Sequence, residues 1–236
     1  MEFTTTFFFM VGGTLCLITS IFFFISYFKT KQRASLSLAF VSFWIALHAY
    51  AFSIPTIIDP GNLDLLAIGY IVGIAALFLV QISGLEVQNF MTKHATNMNF
   101  PTIGSLVITL IASITLIIMS YDFRTPLIND SGIIFWNVNK IAQWLIGLSS
   151  LTYGLFWNYV FYQAATIVDD SYARFRLMII GIAGTSMGTT AFLVHTSSSE
   201  IQTLTGHIIF VISGLMILGI FIIPKKLFST NKKTSV

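Results

Sequence analysis

Charge is what this sequence has least of: 9% of its 236 residues are Asp, Glu, Lys or Arg, where a soluble domain carries roughly 25%. That scarcity excludes a chain whose whole surface is solvated, because the 56% of residues that are hydrophobic leave too few polar side chains to cover a domain of this size. Cysteine is nearly missing too. The single Cys16 has no partner within the chain, which excludes an intrachain disulfide and a metal site built on paired cysteines. Cys16 is read as a small packing or lipid-facing residue, not as a reactive thiol. The apolar regions also lack paired carboxylates, a glycine-rich phosphate loop and a Ser/His/Asp spacing. No catalytic residue is therefore assigned, and the chain is not expected to be an enzyme.

What the sequence has instead is long apolar runs. Crossing about 30 Å of hydrocarbon takes about 20 apolar residues in a helix. Candidate spans are Phe7 to Phe28, Leu36 to Ile58, Leu65 to Leu85, Thr102 to Tyr121, a long stretch from Ile133 to Val168, Leu177 to Val194, and Leu204 to Ile223. The runs are continuous and exceed strand length, which favours helices over the ten-residue alternation of a barrel. The expected fold is an all-α membrane protein, a bundle of seven transmembrane helices. The stretch ending at Val168 is longer than one crossing needs. Its first part, with Asn137, Asn139 and Lys140, is expected to project from the bilayer or tilt strongly, the embedded part beginning near Ile141. The leader Met1 to Thr6 carries Glu2 and no basic residue, the wrong charge for a secretory signal, so the first run is read as a retained helix.

Basic residues set the expected orientation, because short cytoplasmic loops accumulate them. Lys29, Lys31 and Arg33 follow the first span, Lys93 the third, Arg174 and Arg176 the fifth, and Lys225, Lys226, Lys232 and Lys233 the seventh. Ten of the twelve basic residues thus share one side. Opposite them are Arg124 and Lys140, with Glu2, Asp59, Asp64, Asp122, Asp130 and Glu200. This places the amino terminus outside and the carboxyl terminus in the cytoplasm of a multi-pass cell-membrane protein. The expected division is a helical domain over residues 1–223 and a short basic tail over 224–236, with no room for a soluble effector domain. The basic groups are scattered in ones to fours, which suits topology and anionic lipid, so the expected partner is the bilayer and not nucleic acid.

Polar and small residues within the spans carry the candidate sites. Gly181, Gly184, Gly188, Ala191 and His195 recur at intervals of three and four, which puts them on one helical face, and Gly147, Ser150, Gly154 and Asn158 form a similar face. Both read as packing seams. His195 and His207 flank the short connection Thr196 to Gln202, with Glu200 between them and His48 in the second span. One reading has His48, His195, His207 and Glu200 lining an outward-facing ligand, metal or pH-responsive pocket, since imidazole titrates near neutrality and ligates many metals. The other has His195 and His207 as wet interfacial residues and His48 as a hydrogen-bonded bundle residue. No histidine pair has metal-ligand spacing, so a metal is left unassigned. Gln81, Gln143, Asn158 and Gln163 read as hydrogen bonds across helix interfaces or as a polar path. Trp44, Tyr50, Tyr121, Trp136, Trp144, Trp157, Tyr159 and Tyr162 include several near span ends, where an aromatic belt is expected. Asp169 and Asp170, beside Arg174 and Arg176, read as an interfacial charge cluster.

Three seven-helix families provide comparisons. Microbial rhodopsins carry retinal on a lysine of the last helix; Leu204 to Ile223 contains none, and no cofactor is expected. Sugar transporters of the SWEET type carry a proline in their first and fifth helices; Phe7 to Phe28 and Ile141 to Val168 have none. The basic turn Arg174-Phe175-Arg176, leading into Leu177-Met178-Ile179-Ile180-Gly181, is similar to the seven-helix sensor region at the amino terminus of some membrane histidine kinases. That resemblance implies sensing at the membrane with signalling to the cytoplasm. The expected function is a stand-alone sensory or accessory membrane subunit without its own effector domain, working with a membrane or cytoplasmic protein partner. The alternatives are a small-solute transporter or channel, and a structural subunit of a membrane complex.

Overall fold

The computed structural model describes residues 4–91, 99–119, 127–136 and 138–223. Glu2, Lys93, Tyr121, Asp122, Arg124, Asn137 and the basic tail from residue 224 lie outside the described residues. The described chain is all-helical apart from one short hairpin. Its helices are α1 (Thr4–Thr30), α2 (Arg33–Ile58), α3 (Leu63–Met91), α4 (Asn99–Met119), α5 (Lys140–Thr166), α6 (Ser171–Thr196) and α7 (Glu200–Ile222), with β1 (Leu127–Ile128) and β2 (Ile134–Phe135) between α4 and α5. Five of them, α1, α2, α3, α6 and α7, are long and apolar enough to cross a membrane. In α4 the apolar part Ile103–Met119 is shorter. In α5 the length is ample, but Gln143, Ser149, Ser150, Asn158 and Gln163 dilute the apolar residues.

Local chemistry sets the helix ends. Asn139 caps α5 by accepting from the Ile141 amide at 2.8 Å, and Asp170 caps α6 by accepting from Tyr172 N at 2.9 Å and Ala173 N at 3.3 Å. Ser199 caps α7 through Gln202 N at 3.3 Å. Only Lys31 and Gln32 separate α1 from α2. Lys31 takes a left-handed φ of 56°, and its amide donates to the Tyr27 carbonyl at 2.7 Å, which ends α1 and reverses the chain at once. Pro55 lies inside α2 and has no amide to offer the Ala51 carbonyl. Gly69 of α3 packs against that turn: a Cβ there would lie 2.6 Å from Pro55 Cγ.

The helices form a ring in the order α1, α2, α3, α5, α6, α7 and back to α1, with α4 packed on the outside of the α3–α5 contact. The outward side of α4 is apolar, Ile108 and Ile111 being well exposed. One end of the ring gathers five of the six described basic residues, Lys29, Lys31, Arg33, Arg174 and Arg176, while Lys140 is at the other. At this basic end Tyr172 of α6 donates to the Ile223 carbonyl following α7 at 3.0 Å, and the Arg176 guanidinium packs over the Tyr172 and Phe221 rings.

The opposite end is covered. Thr4 Oγ1 donates to the Ser131 carbonyl at 2.5 Å, the Thr5 amide to the Gly132 carbonyl at 3.3 Å, and the Ile134 amide to Thr5 Oγ1 at 3.1 Å. These bonds fasten the hairpin to the start of α1. Part of the stretch expected to project from the bilayer or tilt strongly folds back onto this end of the bundle. Ile133, Ile134 and Val138 are buried, because folding back hides three large aliphatic side chains that projection would leave in water.

Candidate functional site

A cavity of about 90 Å³ lies inside the ring. Each of the six ring helices contributes to its wall and α4 does not: Phe9 and Phe23 from α1, His48 from α2, Gln81 from α3, Trp157 from α5, His195 from α6 and Phe210 from α7 are among the lining residues. The lining is otherwise mostly aliphatic, and among the described residues it carries no carboxylate, lysine or arginine.

Two groups of polar side chains stand out on the wall. Toward the hairpin end, His48 Nδ1 lies 2.8 Å from the Gly73 carbonyl oxygen. A carbonyl only accepts, so Nδ1 carries the proton, and in the neutral ring Nε2 remains an acceptor. The His48 and His195 ring centroids are 6.1 Å apart, and His195 Nε2 is buried with no hydrogen-bond partner. Deeper in the bundle, Gln81 Nε2 donates to Ser150 Oγ at 3.3 Å across the α3–α5 contact. This leaves Gln81 Oε1 buried without a partner, and the Tyr153 hydroxyl is in the same condition. Gly84, one turn beyond Gln81, gives that hydroxyl its space, for a Cβ on Gly84 would collide with it.

His207 is fully buried, but it does not line this cavity. Its ring stacks on Phe8 at 5.9 Å and meets the edge of Phe9 at 5.0 Å, and neither ring nitrogen has a partner. Phe9 also contacts His48 at 5.9 Å, so an aromatic ring links these two histidines. Glu200 is exposed in the first turn of α7, where a carboxylate suits the helix dipole. The structure therefore brings His48 and His195 together and leaves His207 and Glu200 apart from them. His195 and His207 are buried rather than wet, and the hairpin covers this end, with Trp136 packed on Tyr70 at 4.5 Å and on Phe52 at 5.9 Å. Among the described residues, no group of three or more His, Cys, Asp or Glu side chains could hold a metal.

The two glycine faces meet each other. A Cβ on Gly188 would lie 2.6 Å from the Ser150 carbonyl oxygen, and one on Gly154 would lie 2.8 Å from that of Gly184. Gly181 faces Asn158, Gly147 faces Thr196, and Gly184 lies under the Trp157 indole, whose N–H donates to the Ile180 carbonyl at 3.1 Å. Gln143 Nε2 donates to the Trp136 carbonyl at 3.2 Å, while Gln163 is exposed. Cys16 is buried in α1.

Tyr153 and the Gln81–Ser150 pairing are site features that helical spacing alone does not single out. The available signal is that Tyr153 falls in the middle of a span, where a hydroxyl has no headgroup region to reach. No protein-family model, curated protein or solved structure significantly matches the chain.

Proposed function

We propose that this chain is a sensory or accessory membrane subunit, whose central cavity takes up a small molecule and whose helix packing reports occupancy to a partner protein. One observation carries the reading: Gly154, Gly184 and Gly188 line the cavity and also lie in the tight α5–α6 contact, where an added Cβ would meet the facing helix. An occupant pressing on that wall acts on the seam itself. Packed interfaces respond to such pressure by repacking, not by continuous deformation. The α6 end of the seam carries Arg174, bonded to the Val168 carbonyl, and Arg176, packed over Tyr172, whose hydroxyl bonds to the end of α7, so a shift of α6 moves a basic surface.

In this reading all seven helices cross the bilayer, amino terminus outside and basic end in the cytoplasm. At 1.5 Å per residue α4 and α5 reach roughly 31 and 40 Å, enough to span. Of the side chains that dilute α5, Ser150 lines the cavity and Asn158 meets Gly181 on the α6 seam, places where polar groups within a membrane are tolerated. Transport is the second reading, and the helices argue for sensing over it. They run unbroken through the described spans, where a transporter site is typically built on discontinuous helices.

The test is purification of the full chain in a gentle detergent, followed by mass spectrometry of everything retained. A stoichiometric protein partner is the expected result. A chain that retains no protein partner and conducts solute in proteoliposomes overturns the reading in favour of transport.

A further inference from the structure

We infer that the cavity is a site for a small uncharged molecule with a hydroxyl group on an apolar body, its hydroxyl held between Gln81 and Tyr153. The inference rests on the ligand-binding reading above and deepens it. Three features on the cavity wall select this chemistry.

The first is that no charged side chain lines the cavity among the described residues. An ionised ligand would lose its hydration with no opposite charge to replace it, which is among the most unfavourable transfers in protein chemistry. The second is the complementarity of two neighbouring unpartnered groups, Gln81 Oε1 and the Tyr153 hydroxyl. Gln81 Oε1 can only accept, because its amide nitrogen is engaged with Ser150, while the Tyr153 hydroxyl can donate. A ligand hydroxyl satisfies both at once by donating to Gln81 Oε1 and accepting from Tyr153.

The spacing suits this. Gln81 pairs with Ser150, and one turn further along Gly84 meets Tyr153, so the two pairings are successive rungs across the same helix contact. Adjacent rungs are about 5 Å apart along a helix, and a single oxygen making two hydrogen bonds of about 2.8 Å spans that distance. The third feature is the apolar share of the wall, to which Ile45, Leu77, Ala191 and Phe210 belong. The cavity volume is of the order of the ~150 Å³ engineered cavity that takes up benzene, which sets the ligand at about the size of one ring. Such a molecule partitions into lipid and can reach the bundle from the bilayer.

The experiment titrates the full chain in lipid nanodiscs with phenol, benzene and benzoate by calorimetry, with empty nanodiscs correcting for partition. Phenol is expected to bind about tenfold or more tightly than benzene, since benzene leaves both buried groups unpaired, and benzoate is expected not to bind. Tyr153→Phe and Gln81→Leu should each abolish the preference for phenol while benzene binding stays. Tyr153→Phe removes a hydroxyl that bonds to nothing, so its fold is expected to survive, and a melting curve checks this. Equal binding of phenol and benzene, or a preference for benzoate, overturns the chemical class and leaves the cavity as a ligand site. Failure of all three to bind to folded protein overturns the cavity as a ligand site, and with it the reading on which this inference rests.

Discussion

Gly154 on α5 and Gly188 on α6 stand face to face, so close that a Cβ added to either would come within 3.2 Å of the other's Cα. Helices in a membrane gain little from the hydrophobic effect between them and associate by van der Waals packing, which close backbone approach maximises. This pair fixes how near α5 and α6 can come, and so sets one wall of the cavity.

Gly188→Ala is therefore expected to destabilise the bundle by about 1–3 kcal/mol, the usual range for overpacking, because the new methyl would meet the Ser150 carbonyl oxygen at 2.6 Å. Gly219→Ala in α7 is the matching control. Nothing lies within 4 Å of a Cβ there, so helix propensity alone should make it neutral or stabilising by up to about 1 kcal/mol. Unfolding curves in mixed micelles measure both. Equal effects at the two sites would show that close packing at Gly188 does not govern stability.

His207→Leu is expected to leave the melting temperature unchanged or raise it. Both ring nitrogens are buried and unpartnered, and each unsatisfied buried polar group costs about 1–3 kcal/mol. A drop of several degrees would mean that the ring has a hydrogen-bond partner, such as a bound water, that holds α7 in place.

Trp136→Ala should loosen the cover over the hairpin end. It removes ring contacts with Tyr70 and Phe52, each worth about 0.5–1.5 kcal/mol beyond area burial. Hydrogen exchange at the Ile134 and Thr5 amides, which bond across the hairpin and α1, is expected to accelerate about tenfold or more. Unchanged exchange would assign the cover's stability to the backbone bonds alone.

The proposed orientation is tested by cysteine labelling in intact cells. Cys16 is buried and should stay unlabelled. Glu200→Cys should react with a membrane-impermeant maleimide from outside, and Lys31→Cys only after permeabilisation. The reverse pattern inverts the bundle.

The helices were the most legible feature of the sequence. Runs such as Leu65 to Leu85 are too long and too apolar for anything but a helix in a low-dielectric setting, while the Asn139 cap that starts α5 at Lys140 emerged only from the structure. The three- and four-residue spacing of Gly181, Gly184 and Gly188 identifies a face from local geometry alone. The candidate site was legible only in part. His48 and His195 meet, but their spacing says nothing of it, because the approach depends on how α2 and α6 pack around the ring.

Composition and periodicity, which act along single helices, determined an all-helical chain with helices long and apolar enough to cross a membrane and with small-residue faces. Tertiary structure alone decided that α4 stands outside the ring, that the hairpin closes one end over the histidines, and that Gln81 and Tyr153 share a cavity wall with one acceptor and one hydroxyl unpaired. Those outcomes depend on side chains from helices distant in sequence competing for the same few ångströms of interior, a competition that no one-dimensional pattern records.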